Sequence, residues 1–264
     1  MQLPESWDTI AASYASEIAA QMAPFADEAL RLASVAPTER VLDVACGPGT
    51  LTFRAAPLVR QVVAVDFSPG MVAEVSARAQ RDGLTNVEAK VMDAQALAFP
   101  DGAFDTAFSM FSFMFFPDRA RAFRELLRVL RPGGIAVVGT WGPIDRRPMM
   151  KLGFDAVAEV LPDLPRPAKG DLQDPAECVR EMSEAGFEGV VSAPYTASVH
   201  FTPDEYMKTV VLAGPIAMLR KKIGDAAFQA ATKGLSAAVR KRMPDEGATL
   251  AAEAILTRGT RPVD

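Results

Sequence analysis

Val41-Leu42-Asp43-Val44-Ala45-Cys46-Gly47-Pro48-Gly49-Thr50 joins a β-branched run to a glycine turn. Val41 to Val44 read as a short buried parallel strand, apolar on both faces apart from Asp43. Gly47 and Gly49 let backbone approach a ligand closely, and Thr50 opens a helix. Strand, turn and helix together describe a nucleotide-type site at the carboxyl end of a strand. The dinucleotide fingerprint G-x-G-x-x-G, counted from Gly47, requires a third glycine where Thr52 stands, and Pro48 stiffens the loop, so an NAD site is disfavoured.

On both sides of this turn the pattern alternates. Arg40 to Ala45 is a first strand, Thr50 to Leu58 a helix, Gln61 to Asp66 a second strand, and Pro69 to Arg81 a helix with proline in its first turn. Val87 to Met92, Phe104 to Ser109 and Gly134 to Trp141 continue the strands, with a helix over Asp118 to Leu130. Strand alternating with helix implies parallel strands and right-handed crossovers, so the expected fold is α/β and doubly wound. Ahead of it, Glu5 to Val35 reads as two or three helices interrupted at Pro24. After it, Met149 to Val160 and Glu177 to Ala185 read as helices, and a strand over Phe187 to Val191 resumes at Ala197 to Phe201. Pro203 to Arg242 reads as successive helices punctuated by Gly214-Pro215, Gly224 and Gly234, and Ala248 to Thr257 as a last strand.

The 264 residues are 49% hydrophobic and 23% charged, enough for a sizeable globular core. A formal charge of -5 leaves no global electrostatic footprint for nucleic acid. The first residues carry neither a basic region nor an apolar segment of signal-peptide length. The longest apolar run, Ala107 to Phe116, is broken by serines and far short of the roughly 20 residues a spanning helix needs. A soluble, cytoplasmic protein without stable membrane insertion is expected. Cys46 and Cys178 are too few for a disulfide framework or a zinc site, and Cys46 reads as a small structural residue in the turn.

Asp66 closes the second strand about 20 residues beyond the turn, where an acidic side chain accepts from both ribose hydroxyls of a nucleoside. Phe67 and Met71 are placed to cover one face of an adenine. Asp93-Ala94, at the end of the third strand, sets a carboxylate able to accept from an exocyclic amine beside a small apolar residue. Together with Asp43 these strand ends outline one crevice.

Val41 to Thr52, Val65-Asp66-Phe67-Ser68-Pro69-Gly70-Met71, Asp93-Ala94 with Leu97 to Phe104, and Leu127 to Gly134 resemble the successive motifs of class I S-adenosylmethionine-dependent methyltransferases. The branch they look most like is the small-molecule group similar to the ubiquinone and menaquinone C-methyltransferases. The resemblance covers roughly residues 40–141, with a weaker match over Trp7 to Tyr14. Ala45 stands where many members have glycine, and a small side chain still allows the turn. The resemblance implies a Rossmann-like seven-stranded sheet with helical lid elements. It also implies S-adenosyl-L-methionine as methyl donor, S-adenosyl-L-homocysteine as product, and in-line transfer to oxygen or carbon of a small, largely apolar acceptor. Residue by residue, it implies Asp43, Gly47 and Gly49 around the methionine moiety, Asp66 on the ribose, and Phe67 and Met71 against the adenine. Asp93 with the Ala94 backbone would read the adenine edge, and Ser109 and Met110 would line the space near the sulfonium. The expected organisation is a single domain: 1–38 an N-terminal helical lid, 39–142 the cofactor-binding core, 143–247 acceptor-side insertions and helices, and 248–264 a final strand and tail.

His200, the only histidine, is the first candidate base for a phenol, enol or hydroxyl acceptor; its other reading is a histidine satisfied by backbone. Tyr14, Tyr195 and Tyr206 are candidates to orient an acceptor. The run from Ser109 to Phe116 reads either as core or as an apolar acceptor pocket, with Met110, Phe111, Phe113 and Met114 at its wall and Met149 and Met150 facing the same cavity. After the fourth strand there is no Asn/Asp-Pro-Pro-aromatic quartet, which disfavours methylation of a nucleic-acid base, and no metal-ligand aspartate, so no metal is expected. Arg119, Arg121, Arg124, Arg128 and Arg131 crowd one helix and read as a solvated face. Readings from other classes are a noncatalytic nucleoside-binding module and an NAD-dependent oxidoreductase; the oligomeric state is open.

Overall fold

A computed structural model of the chain describes residues 7, 8, 11, 15, 18–162, 172–212 and 223–263. Tyr14 lies outside the described residues. The sheet has seven strands: β1 Arg40–Val44, β2 Gln61–Asp66, β3 Val87–Val91, β4 Phe104–Met110, β5 Leu130–Trp141, β6 Glu188–Phe201 and β7 Ala248–Thr260, in the order β3-β2-β1-β4-β5-β7-β6. The first five pair in parallel and β7 runs antiparallel to β5. The expected doubly wound sheet is present.

The helices are α1 Ala19–Ala33, α2 Thr50–Ala55, α3 Pro69–Arg81, α4 Arg119–Val129, α5 Pro148–Val160, α6 Pro175–Glu184, α7 Pro203–Leu212 and α8 Asp225–Arg240. The period-2 alternation of the strands assigns their faces. Val41, Val62, Phe108 and Val137 form one core with Ala26, Ala29, Leu30 and Ala33 of α1 and Leu51 and Ala55 of α2. Leu42, Val63, Ala107, Ala136 and Val138 form the opposite core with Phe123, Leu126 and Val129 of α4 and Cys178 and Met182 of α6. Local chemistry sets the helix starts. Ser68 caps α3 by accepting from Met71 N at 3.1 Å, directly before Pro69 at the first helical position. Asp118 caps α4 by accepting from Arg121 N at 2.9 Å.

Two compact units divide the chain: Met1–Trp141, Asp171–Tyr195 and Ala254–Asp264 in the first, Gly142–Gly170 and Thr196–Glu253 in the second. In the second, Tyr206 donates its hydroxyl to the Met149 carbonyl, and Glu159 pairs with Lys241 at 2.8 Å and Arg242 at 2.7 Å. Four expectations are corrected. Pro24 does not interrupt its helix: α1 runs from Ala19 to Ala33 with Pro24 inside it. Gly234 lies inside α8 rather than between helices, because a Cβ there would stand 2.8 Å from Val160 Cγ1 of α5. β6 runs unbroken through Pro194, which an edge strand tolerates because its outer side needs no donor. Arg128 is no solvated member of a charged face: it holds the loop after β3, donating to the carbonyls of Leu97 and Phe99 at 2.7 and 2.8 Å and pairing with Asp101 and Glu125.

Candidate functional site

The glycine turn leaves β1 through a left-handed bend. Ala45 has a φ of 53° and Gly47 one of 54°, so an alanine occupies backbone that favours glycine. The two glycines of the turn do different things. A Cβ on Gly49 would stand 2.7 Å from the Phe53 ring and 3.1 Å from Val75 of α3, so Gly49 lets α2 and α3 close on each other. A Cβ on Gly47 would meet nothing within 4 Å, so its backbone faces open space. Cys46 is buried against Ala64 and Val75, and burial pushes its thiol well above the ordinary range, which is the structural reading of this residue.

Register brings the acids together. Asp43 pairs with Ala64, so Asp66, two residues further along β2, projects from the same sheet face. Asp66 Oδ2 accepts from Gly47 N at 2.9 Å and Oδ1 from Ser68 N at 2.9 Å. Asp43 Oδ2 accepts from the Thr52 hydroxyl at 2.6 Å. Both are buried, and among the described residues neither forms a salt bridge. Burial pushes Asp43 up to about 7 against the Thr52 hydrogen bonds, with the Asp66 charge adding to the rise. Burial likewise raises Asp66 against its backbone donors, with the charge of Asp8 adding to the rise. Asp93 follows β3, whose end is tied to β2 by Met92 N donating to Asp66 O at 2.8 Å. Its Oδ1 accepts from Gln95 N at 2.8 Å, Ala94 beside it is buried in the core, Met71 is buried, and Phe67 is half-buried. The three strand-end acids expected at one crevice therefore stand on adjacent strands.

Phe113 takes the core reading of its run, and Ser109 is buried rather than lining open space near the turn. Ser109 is fully buried, donating to Val44 O at 2.9 Å and sharing a 2.5 Å contact with Ser112, which ties β4 to β1. Phe113 packs in the core, 4.1 Å between ring centroids from Phe123 and 5.0 Å from Phe116. The 3-10 turn Phe113–Phe115 directs this ring inward, which removes it from the acceptor wall. Met110 is half-buried and lies over Gly139 of β5; Met114 is half-buried. Phe111, with a left-handed φ of 59°, stacks on Trp141 at 4.0 Å and 24°. Phe25 of α1 meets Phe111, Trp141 and Tyr195 edge-on at 5.4, 5.6 and 5.9 Å. Sequence reasoning has Phe25 as a large side chain of the N-terminal helices, either packed on the main domain or part of a lid, and it missed Trp141. The one sequence signal available was Trp141 ending a strand beside the crevice.

Four candidates, Met149, Met150, His200 and Tyr206, belong to the second unit. His200 is exposed, with Nε2 donating to Glu246 O at 3.2 Å and Nδ1 accepting from Thr249 Oγ1 at 3.3 Å, so both ring nitrogens are engaged. Tyr206 is buried and Met149 is buried at its hydroxyl.

Residues 41–134 match the family described as a methyltransferase domain. Over this stretch the chain is similar to methyltransferase domains. A demethylmenaquinone methyltransferase of Thermus thermophilus is 44% identical over 108 residues, 40% of this chain and 48% of that protein. Aligned stretches cover 36% to 57% of the length of the relatives that the chain matches. Among solved structures, the YcgJ protein of Bacillus subtilis superposes with a TM-score of 0.61 at 19% identity, covering 90% of this chain and 97% of that one. An N-methyltransferase of Haemonchus contortus, solved with S-adenosylhomocysteine, superposes with a TM-score of 0.54 at 18% identity, covering 88% of this chain and 51% of that one. The fold that carries residues 41–134 is the Rossmann-like class I fold.

Proposed function

We propose that the chain is an S-adenosylmethionine-dependent methyltransferase acting on oxygen or carbon of a small, largely apolar acceptor. One observation carries this reading: two buried carboxylates, Asp43 and Asp66, flank an open glycine turn with no cationic side chain paired to either among the described residues. Burying such groups uncompensated is costly, and a ligand that brings positive charge offsets that cost. S-adenosylmethionine, with its ammonium and sulfonium, fits this donor set and supplies the electrophilic methyl group. Asp66 would take the ribose hydroxyls, Asp43 would face the methionine end, and Gly47 would let backbone come close. Phe67 and Met71 would flank the adenine, and Asp93 with the Ala94 backbone would read its edge.

The acceptor side is assigned to Phe111 with Trp141 and Tyr195, and to Met110 and Met114. These side chains exclude water and hold a flat or apolar acceptor. Orientation in a dry site is worth up to roughly 7 to 11 kcal/mol in favourable systems. Demethylmenaquinone and other small-molecule methyltransferases among the relatives support this acceptor class. The test is calorimetric binding of S-adenosylhomocysteine, then transfer of labelled methyl to a panel of quinones, phenols and fatty acids. Binding without transfer to any acceptor in a metabolite extract would support a noncatalytic nucleoside-binding module. Binding of NAD without S-adenosylhomocysteine would overturn the proposal.

A further inference from the structure

Asp8 is far from β2 in sequence, yet its carboxylate is built into the loop that follows that strand. Asp8 Oδ1 accepts from Ser68 Oγ at 2.5 Å and from Gly70 N at 2.8 Å. Gly70 admits it: a Cβ there would stand 2.9 Å from Asp8 Cα and 3.0 Å from Oδ1. Ser68 is the hub of this corner. Its backbone N–H donates to Asp66, its hydroxyl accepts from Met71 N at 3.1 Å, and the same hydroxyl donates to Asp8. Beside Asp8, the Trp7 ring packs on Phe115, with 6.2 Å between centroids, just beyond β4. The sheet places β1 between β2 and β4. Residues 7 and 8 are therefore anchored on both sides of the strand end that carries Asp43 and the glycine turn.

A third carboxylate beside two buried ones adds repulsion, and the charge of Asp8 contributes to the rise in the pKa of Asp66. The position is explained by its two donors. A carboxylate takes both bonds on one oxygen more strongly than a neutral acceptor does, and it makes the docking of this segment sensitive to positive charge in the crevice.

We propose that Asp8 is a positioning residue: it latches residues 7 and 8 across the end of β1 and, through Ser68, fixes the Asp66 carboxylate for the ribose. The second half rests on the cofactor reading above; the first does not.

The latch is tested without ligand by fluorescence. Trp7 and Trp141 are the only tryptophans, so in a Trp141→Phe background acrylamide quenching reports Trp7 alone. Asp8→Ala and Gly70→Ala are expected to raise the quenching constant about twofold or more, and Asp8→Asn, which keeps an acceptor oxygen, to restore part of the protection. Unchanged quenching in both Asp8→Ala and Gly70→Ala would overturn the latch. With Trp141 intact, Asp8→Ala is expected to raise the Kd for S-adenosylhomocysteine five- to tenfold and Asp8→Asn less. The double variant Asp8→Ala/Gly70→Ala should bind no worse than the weaker single one, because both break one contact. Equal affinity in wild type and variants, or multiplicative losses in the double variant, would overturn the positioning role. A wild type that binds no S-adenosylhomocysteine while quenching still responds would instead count against the cofactor reading and leave the latch standing.

Discussion

The Asp66 carboxylate holds the backbone N–H of Gly47 at 2.9 Å, so the acid that ends β2 and the turn that leaves β1 are one piece of structure. Removing the carboxylate frees the turn and, on the proposed cofactor reading, would strand the ribose hydroxyls. Asp66→Ala is expected to weaken S-adenosylhomocysteine at least tenfold, about 1.4 kcal/mol or more, by calorimetry. Unchanged affinity would remove Asp66 from the site.

Asp43 makes a pH prediction whose sign follows from its pKa. Its folded value of about 7 lies above the ~3.9 of an unfolded aspartate. The neutral form is the one burial favours, so the stabilising contribution is complete below about pH 4 and is lost as the pH rises through about 7. Asp43→Asn keeps an oxygen for the Thr52 hydroxyl and removes the charge. It should raise the Tm by roughly 3 °C or more at about pH 8 and change it little at about pH 4.5. Because an ammonium favours the ionised acid, wild-type affinity for S-adenosylhomocysteine should climb between about pH 6 and pH 8 with proton release. Calorimetry in buffers of different ionisation enthalpy measures that release, and Asp43→Asn should abolish it.

The three small residues of the turn separate folding from binding. Gly49→Ala drives a Cβ into Phe53 and should cost about 1–3 kcal/mol of stability. Gly47→Ala meets no atom and should cost the fold only about 1 kcal/mol, while its methyl enters the space assigned to the ligand. Ala45→Gly relieves a left-handed alanine and should leave the Tm equal or higher. Denaturation with and without S-adenosylhomocysteine distinguishes all three. A Gly47→Ala protein that binds normally would show that the ligand does not approach there.

Phe111 and Phe113, two residues apart, should respond differently. Phe111→Ala is expected to raise the KM of apolar acceptors several-fold with little change in the KM of S-adenosylmethionine. Phe113→Ala opens a cavity beside Phe123 and should cost about 3–5 kcal/mol of stability. Equal acceptor and cofactor effects for Phe111→Ala would take its ring out of the acceptor wall.

His200→Ala should keep near-wild-type kcat, because both ring nitrogens already have partners in Glu246 and Thr249. A low-pH limb in kcat that disappears with this substitution would return His200 to the role of base.

The central strands and α3 were legible because their signals are local. Short continuous apolar runs mark β1 and β2, and Ser68 before Pro69 marks the start of α3 to the residue. β5 was read short, since Pro132-Gly133-Gly134 looks like a turn and its pairing with β4 shifts register between Phe104 and Thr106. Asp43, Gly47 and Asp66 were readable as a set for the same reason: spacing along strands and one turn carries them. The aromatic group of Phe25, Phe111, Trp141 and Tyr195 was not, because its members come from four separate elements or loops and meet only through the fold. Asp8 was silent for the same cause, its donors lying 60 and 62 positions away.

The position of β7 bears on how the chain is made. In the sheet it separates β5 from β6, yet it is translated after both. On the ribosome β6 has no neighbour to pair with until β7 has left the exit tunnel, and the edge of β5 stays bare for the same interval. A nascent chain paused before Ala248 therefore exposes an apolar strand edge, and is the species on which a chaperone has most to act.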